Sequence, residues 1–225
     1  MIYGVWIDDI NTLTDYGLML CADVSVSSPE PRLSYVSIPE GDGDLDITAA
    51  LTGGEVRYGM RTINFTLFAA HDIISGKPSP ATEQHMAMVR SRFAAYIHGQ
   101  KRKLWLPDDP EHYYYGRIRL GNKGGYNNGR IPITMTADPW RYRNDLTKFV
   151  VSEDMTVKLT NEGRRVSPVF RATDATAHVL FGEDDYQILP GDNRFEGLLL
   201  ETGGNDLTFS NVTNAITISY QEAVL

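Results

Sequence analysis

Short runs that alternate polar and apolar residues, closed every few positions by glycine, asparagine, aspartate or proline, dominate this chain. A period of two puts successive side chains on opposite faces of a strand, so the pattern demands sheets with one face buried. Arg61-Thr-Ile-Asn-Phe-Thr-Leu-Phe68 is the clearest run, with Ile63, Phe65 and Leu67 on one face. Tyr115–Leu120 and Arg130–Thr136 read as two more strands. The nine residues between them, Gly121-Asn-Lys-Gly-Gly-Tyr-Asn-Asn-Gly129, hold four glycines and three asparagines. These tolerate positive φ, so the segment reads as a long hairpin loop. Its Tyr126 is the candidate inter-subunit contact, an apolar anchor on a loop too long for a tight turn. Pro132 has no N–H to give a ladder, which predicts an edge strand or a bulge.

One segment, residues 80–98, has a helical period. Met86, Val89, Phe93 and Ile97 recur at spacings of three and four and form one apolar stripe. Ser79 suits the N-cap, Pro80 the first turn and Gly99 the stop. Met86 and Met88 read as core filler.

After Asp138-Pro-Trp-Arg-Tyr-Arg143 the helical period is gone. Met155–Leu159, Ala177–Phe181, Asp206–Phe209 and Ala215–Tyr220 read as short strands between turn signals, the pattern of a β-sandwich. The expected division is a domain over residues 1–145 and a second over 146–225.

The residues offer little for catalysis. Asp42, Asp44 and Asp46 resemble a calcium loop, but Ile47 and Gly53 stand where its Gly and Glu are required. The segment reads instead as an acidic turn leading into a strand. No histidine pair has metal-ligand spacing, and there is no nucleophile elbow or phosphate loop. The paired carboxylates Asp8/Asp9, Asp108/Asp109 and Asp184/Asp185 sit at turns. Cys21, the single cysteine, excludes an internal disulfide and reads as buried and structural. In His112-Tyr-Tyr-Tyr115, alternation puts Tyr113 and Tyr115 on one face and Tyr114 on the other. No catalytic, cofactor-binding or metal-ligating residue is assigned. The net charge of −8 argues against a broad grip on nucleic acid, and no apolar run approaches the ~20 residues of a membrane-spanning helix. The expectation is a soluble acidic protein.

The order of elements resembles a known family. Ile38-Pro-Glu-Gly-Asp-Gly-Asp-Leu-Asp46 followed by Tyr58-Gly-Met-Arg-Thr-Ile-Asn-Phe65 is similar to the start of the distal tail proteins of long non-contractile-tailed phages. Glu40, between Pro39 and Gly41, departs from the family's usual turn. The helix, then Leu106-Pro-Asp-Asp-Pro-Glu-His-Tyr-Tyr-Tyr-Gly-Arg117, Asp138-Pro-Trp140, Asn161-Glu-Gly163 and Ser167-Pro-Val-Phe170 follow in the family's order. The resemblance implies a mainly β protein with one helix. Its N-terminal domain would be β-barrel-like and form a hexameric ring, and its C-terminal domain a galectin-like sandwich. It implies a non-enzymatic virion protein at the tail tip, without cofactors. The implied partners are further copies of itself, the tail tube, the tip or hub protein, and tape-measure or receptor-binding proteins. Competing functions are a carbohydrate-binding sandwich for host attachment, or a different tail ring such as the tube or terminator.

Overall fold

The computed structural model describes residues 3–21, 24–50, 52–69, 82–121, 129–174 and 176–225. The chain divides into two compact units, Met1–Arg141 and Tyr142–Leu225.

In the first unit, β1 (Trp6–Ile7), β2 (Ile10–Asn11), helix α1 (Thr12–Tyr16), β3 (Leu18–Leu20) and β4 (Ser25–Val26) precede the hairpin of β5 (Tyr35–Ser37) and β6 (Asp44–Asp46). Then come β7 (Arg61–Ala69), α2 (Glu83–Ile97), β8 (Lys101–Leu106), β9 (Asp109–Leu120) and β10 (Arg130–Arg143). One curled sheet, a half barrel, runs β2-β1-β8-β9-β10-β7-β3, with β4 also on β7. Its inner face follows from the alternation: Ile63, Phe65 and Leu67 of β7 lie with Ile131, Ile133 and Met135 of β10 in one core. Val89, Phe93 and Ile97 of α2 fill that core, with Phe93 edge-on to Tyr16 at 5.2 Å. Tyr114 points into it, while Tyr113 and Tyr115 lie on the other face of β9.

Four local expectations are corrected. The N-cap of α2 is Thr82, not Ser79; its hydroxyl accepts the His85 N–H at 3.3 Å. Met88 is 53% exposed and fills no core. Pro132 lies on an inner strand, since β10 runs between β9 and β7. The Gly121 N–H donates to the Pro132 carbonyl at 2.8 Å, but the return bond of a paired ladder has no donor. The Arg90 guanidinium of α2 donates to the Gly121 carbonyl instead. A Cβ on Gly121 would lie 2.7 Å from Pro132 Cγ, so glycine makes room for the ring. Cys21 is only half-buried, its N–H bonded to the Thr66 carbonyl at 2.9 Å. Gly99 leaves the helix at φ 75°.

The second unit begins inside β10. Two four-stranded antiparallel sheets form it. One is β11 (Thr147–Val151), β18 (Ile216–Tyr220), β13 (Val169–Ala172) and β16 (Gly191–Asn193). The other is β12 (Met155–Asn161), β17 (Gly203–Ser210), β14 (His178–Phe181) and β15 (Asp184–Gln187). Phe170 and Ile218 from the first sheet and Val179, Leu207 and Phe209 from the second share one core, which makes a sandwich. The buried Asn161 clamps its turn: Nδ2 donates to the Arg164 and Leu200 carbonyls (2.8 and 3.2 Å), and Oδ1 accepts the Gly163 N–H (3.1 Å). Across this unit's two ends, Arg143 pairs with the buried Glu222 at 2.9 Å.

Candidate assembly arm and its anchorage

Residues 25–50 and 52–64 make one long antiparallel excursion from the sheet. It starts as the pairing of β4 with β7, Ser25 opposite Asn64 and Val26 opposite Ile63. Beyond it, Ser27 N–H donates to the Thr62 carbonyl (2.9 Å), Gly59 to Glu30 (2.7 Å) and Arg32 to Arg57 (2.7 Å), so the two legs stay paired away from the sheet. The tip holds β5 and β6. Its base is closed by the Ser34 N–H, which donates to Thr48 Oγ1 (2.9 Å), and by the Ile47 N–H, which donates to the Ser34 carbonyl (3.0 Å). Glu40 and Gly43 turn it at φ 61° and 85°. An isolated two-stranded hairpin is marginal in water. This one exposes Leu33, Tyr35, Val36, Ile38 and Leu45, each at 47–55%. Single exposed apolar side chains are ordinary; five on one short hairpin mark an interaction surface.

At the arm's root, segments far apart in sequence converge. Tyr58 meets Trp140 edge-on, centroids 5.6 Å apart. Arg61 is 5% exposed on the core side of β7. Its guanidinium donates to the Pro139 carbonyl and lies 5.4 Å from the centre of the Tyr114 ring. Burial pulls the Arg61 pKa down, the Tyr114 hydroxyl group partly offsets this, and the Arg141 charge adds to the fall. Arg141 bonds the Asp109 carboxylate at 2.8 Å, and His112 bonds its other oxygen at 2.9 Å. Burial pushes that carboxyl up, but the His112 bond and charge, and then Arg141, outweigh it and hold it below its ordinary value. The network fixes where both legs leave the sheet; it holds no reactive nucleophile.

Tyr126 lies outside the described residues, so the structure says nothing of it. Asp42, Asp44 and Asp46 fall on the arm's tip, as a turn and the strand after it. No group of three or more His, Cys, Asp or Glu among the described residues could hold a metal ion, and no described helix is long and apolar enough to cross a membrane. In the sandwich, Phe170, Phe209 and Tyr220 are core residues, and Tyr186 stacks on Phe195 at 4.9 Å. These rings pack against the fold and against each other. Sequence reasoning missed the arm as a unit and the buried Arg61. The arm's legs lack clear alternation, and a lone arginine heading an apolar run reads as an exposed end.

Solved structures supply the comparison. The chain is similar to the crystal structure of the Dit protein of phage SPP1, described as a paradigm of the hub adsorption apparatus in phages that infect Gram-positive bacteria. The TM-score is 0.67 over 100% of both chains. This chain has the Dit fold. Sequence identity is 17%, so the likeness is one of fold. No protein-family model matches the sequence, and no curated protein matches it. Three of the segments that resemble distal tail proteins in sequence, Tyr58–Phe65, Leu106–Arg117 and Asp138–Trp140, contribute side chains to the arm's root.

Proposed function

We propose that this protein is a structural hub of a phage tail tip, its first unit forming a ring, six copies in number, between the tail tube and the tip. The observation that carries this reading is the anchored arm: a paired excursion whose exposed apolar tip stays outside its own core. Such a surface needs a partner, and in a homo-oligomer the partner is another copy. The Dit fold supports the tail setting. In this reading the protein acts by shape and adhesion, in the virion, and catalyses nothing. Its further partners are the tail tube and the tip or hub protein, with tape-measure or receptor-binding proteins beyond. The second unit folds by itself and is dispensable for the ring.

Light scattering of the full chain over a range of concentrations tests the reading, with electron microscopy of the same sample. The expected result is a mass several-fold above 25.2 kDa, approaching six copies, and ring-shaped particles. A monomer at every concentration overturns it.

A further inference from the structure

The outer face of the half-barrel sheet breaks a rule of sheet pairing. Lys101 and Arg117 are direct cross-strand partners, and like charges set opposite each other destabilise a ladder. Lys103 and Arg119 extend the strip; all four side chains are exposed. None forms an ion pair with a described carboxylate. Aromatic rings lie between them, with the Lys101 ammonium 5.6 Å from the Tyr115 centroid and that of Lys103 4.5 Å from Tyr113. A hollow of about 150 Å³ opens at this strip, lined by Lys101, Arg117, Arg119 and the exposed Met60, with Asp138 its only acid. This basic strip belongs to a chain of net charge −8.

The arm's tip has the opposite character. Between Leu33 and Val56 stand Glu40, Asp42, Asp44, Asp46 and Glu55, and no Lys, Arg or His. The register of β5 and β6 puts Tyr35, Asp44 and Asp46 on one face, and Val36 with Leu45 on the other. The hairpin thus offers carboxylates beside an aromatic ring on one side and aliphatic groups on the other.

We propose that the strip around Lys101, Lys103, Arg117 and Arg119 receives the acidic arm tip of a second copy. This rests on the ring reading and names its contact. The tip is exposed in its own chain, and its legs carry it up to ~35 Å from the sheet at strand rise, so the occupant comes from a neighbour. Arm and strip are different surfaces, which makes the contact head-to-tail, the kind that closes into a ring. Opposed charge steers and orients the encounter, and desolvation of the apolar residues holds it.

Charge swapping tests this on the full chain. Lys101→Glu/Lys103→Glu/Arg117→Glu/Arg119→Glu reverses the strip, and Glu40→Lys/Asp42→Lys/Asp44→Lys leaves three lysines against Asp46 and Glu55 and so reverses the tip. All seven positions are exposed, and the bond lost from the Arg117 guanidinium to the Gly99 carbonyl lies at the surface, so each variant should melt within a few degrees of the wild type. Each alone should weaken self-association by about tenfold or more. An equal mixture of strip-reversed and tip-reversed chains should reassemble, because each arm then faces a strip of opposite sign. If the wild type assembles and the variants assemble equally well, or if the mixture fails to recover, the contact is wrong and the ring reading stands. If the wild type never assembles, both fall.

Discussion

At the scale of single residues, the buried polar groups are the points where this fold is most exposed to damage. Arg61 is a cation buried over an aromatic ring; among the described residues no carboxylate is bonded to it and its Nε has no hydrogen-bond partner. Arg61→Ala should cost about 2–4 kcal/mol in urea unfolding, because it opens a cavity beneath Tyr114 and orphans the Pro139 carbonyl. A loss under about 0.5 kcal/mol would show that the anchorage is not held there. Asp174 makes a different prediction. Bonds from Asn214, Thr213 (2.7 Å) and Thr176 (3.0 Å) lower its pKa from 3.8 to about 2. A depressed carboxyl stabilises the fold above its unfolded pKa and loses that contribution as pH falls through its folded one. The stability gap between wild type and Asp174→Asn should therefore be constant above about pH 4 and shrink towards pH 2. Thermal melts of both proteins across that range would reveal it; a gap that does not change with pH contradicts the assignment. Neither residue announces itself in sequence, since burial and spatial partners decide both cases.

At the scale of elements, alternation and helical stripe are direct consequences of burial, and that is why they were legible. β7, α2, β12, β14, β17 and β18 lie where their periods put them. Neither the edge nor the bulge that Pro132 predicts is found, because a missing donor can be replaced from outside the ladder, and no local pattern shows Arg90 reaching Gly121. This substitution of donors is measurable. Arg90→Met should cost about 1 kcal/mol, and less in a Pro132→Thr background, where the replacement's own backbone N–H can reach the same carbonyl. A double-mutant cycle with no coupling would dismiss the exchange. The arm was legible only in fragments: its acidic turn and Tyr58–Arg61 were visible, but the leg pairing between Ser27–Arg32 and Arg57–Thr62 spans loops without period.

At the scale of the molecule, the division between the two units falls inside one uninterrupted strand, β10. Its placement has a thermodynamic consequence. Glu222 is buried and pairs with Arg143, and β11 begins at Thr147. A fragment of residues 142–225 keeps both; one of residues 149–225 leaves a buried carboxylate unpaired and truncates β11. The longer fragment should unfold cooperatively with a stability at least about 3 kcal/mol above the shorter one, as read by denaturant titration of each. Equal stabilities would place the true edge of the sandwich later in the chain. The arm imposes a condition of another kind, on the unassembled protein in a crowded solution. A projecting hairpin with open strand edges and bare leucine, valine and tyrosine side chains is a template on which identical hairpins can stack. Glu40, Asp42, Asp44 and Asp46 give every copy the same sign at that spot, so free subunits repel where they would otherwise adhere. Replacing Glu40, Asp42 and Asp44 by Gln, Asn and Asn should turn a clear solution turbid while the melting temperature holds, and the carboxylates of the tip thereby act as the dispersant that keeps a sticky part in stock until it is used.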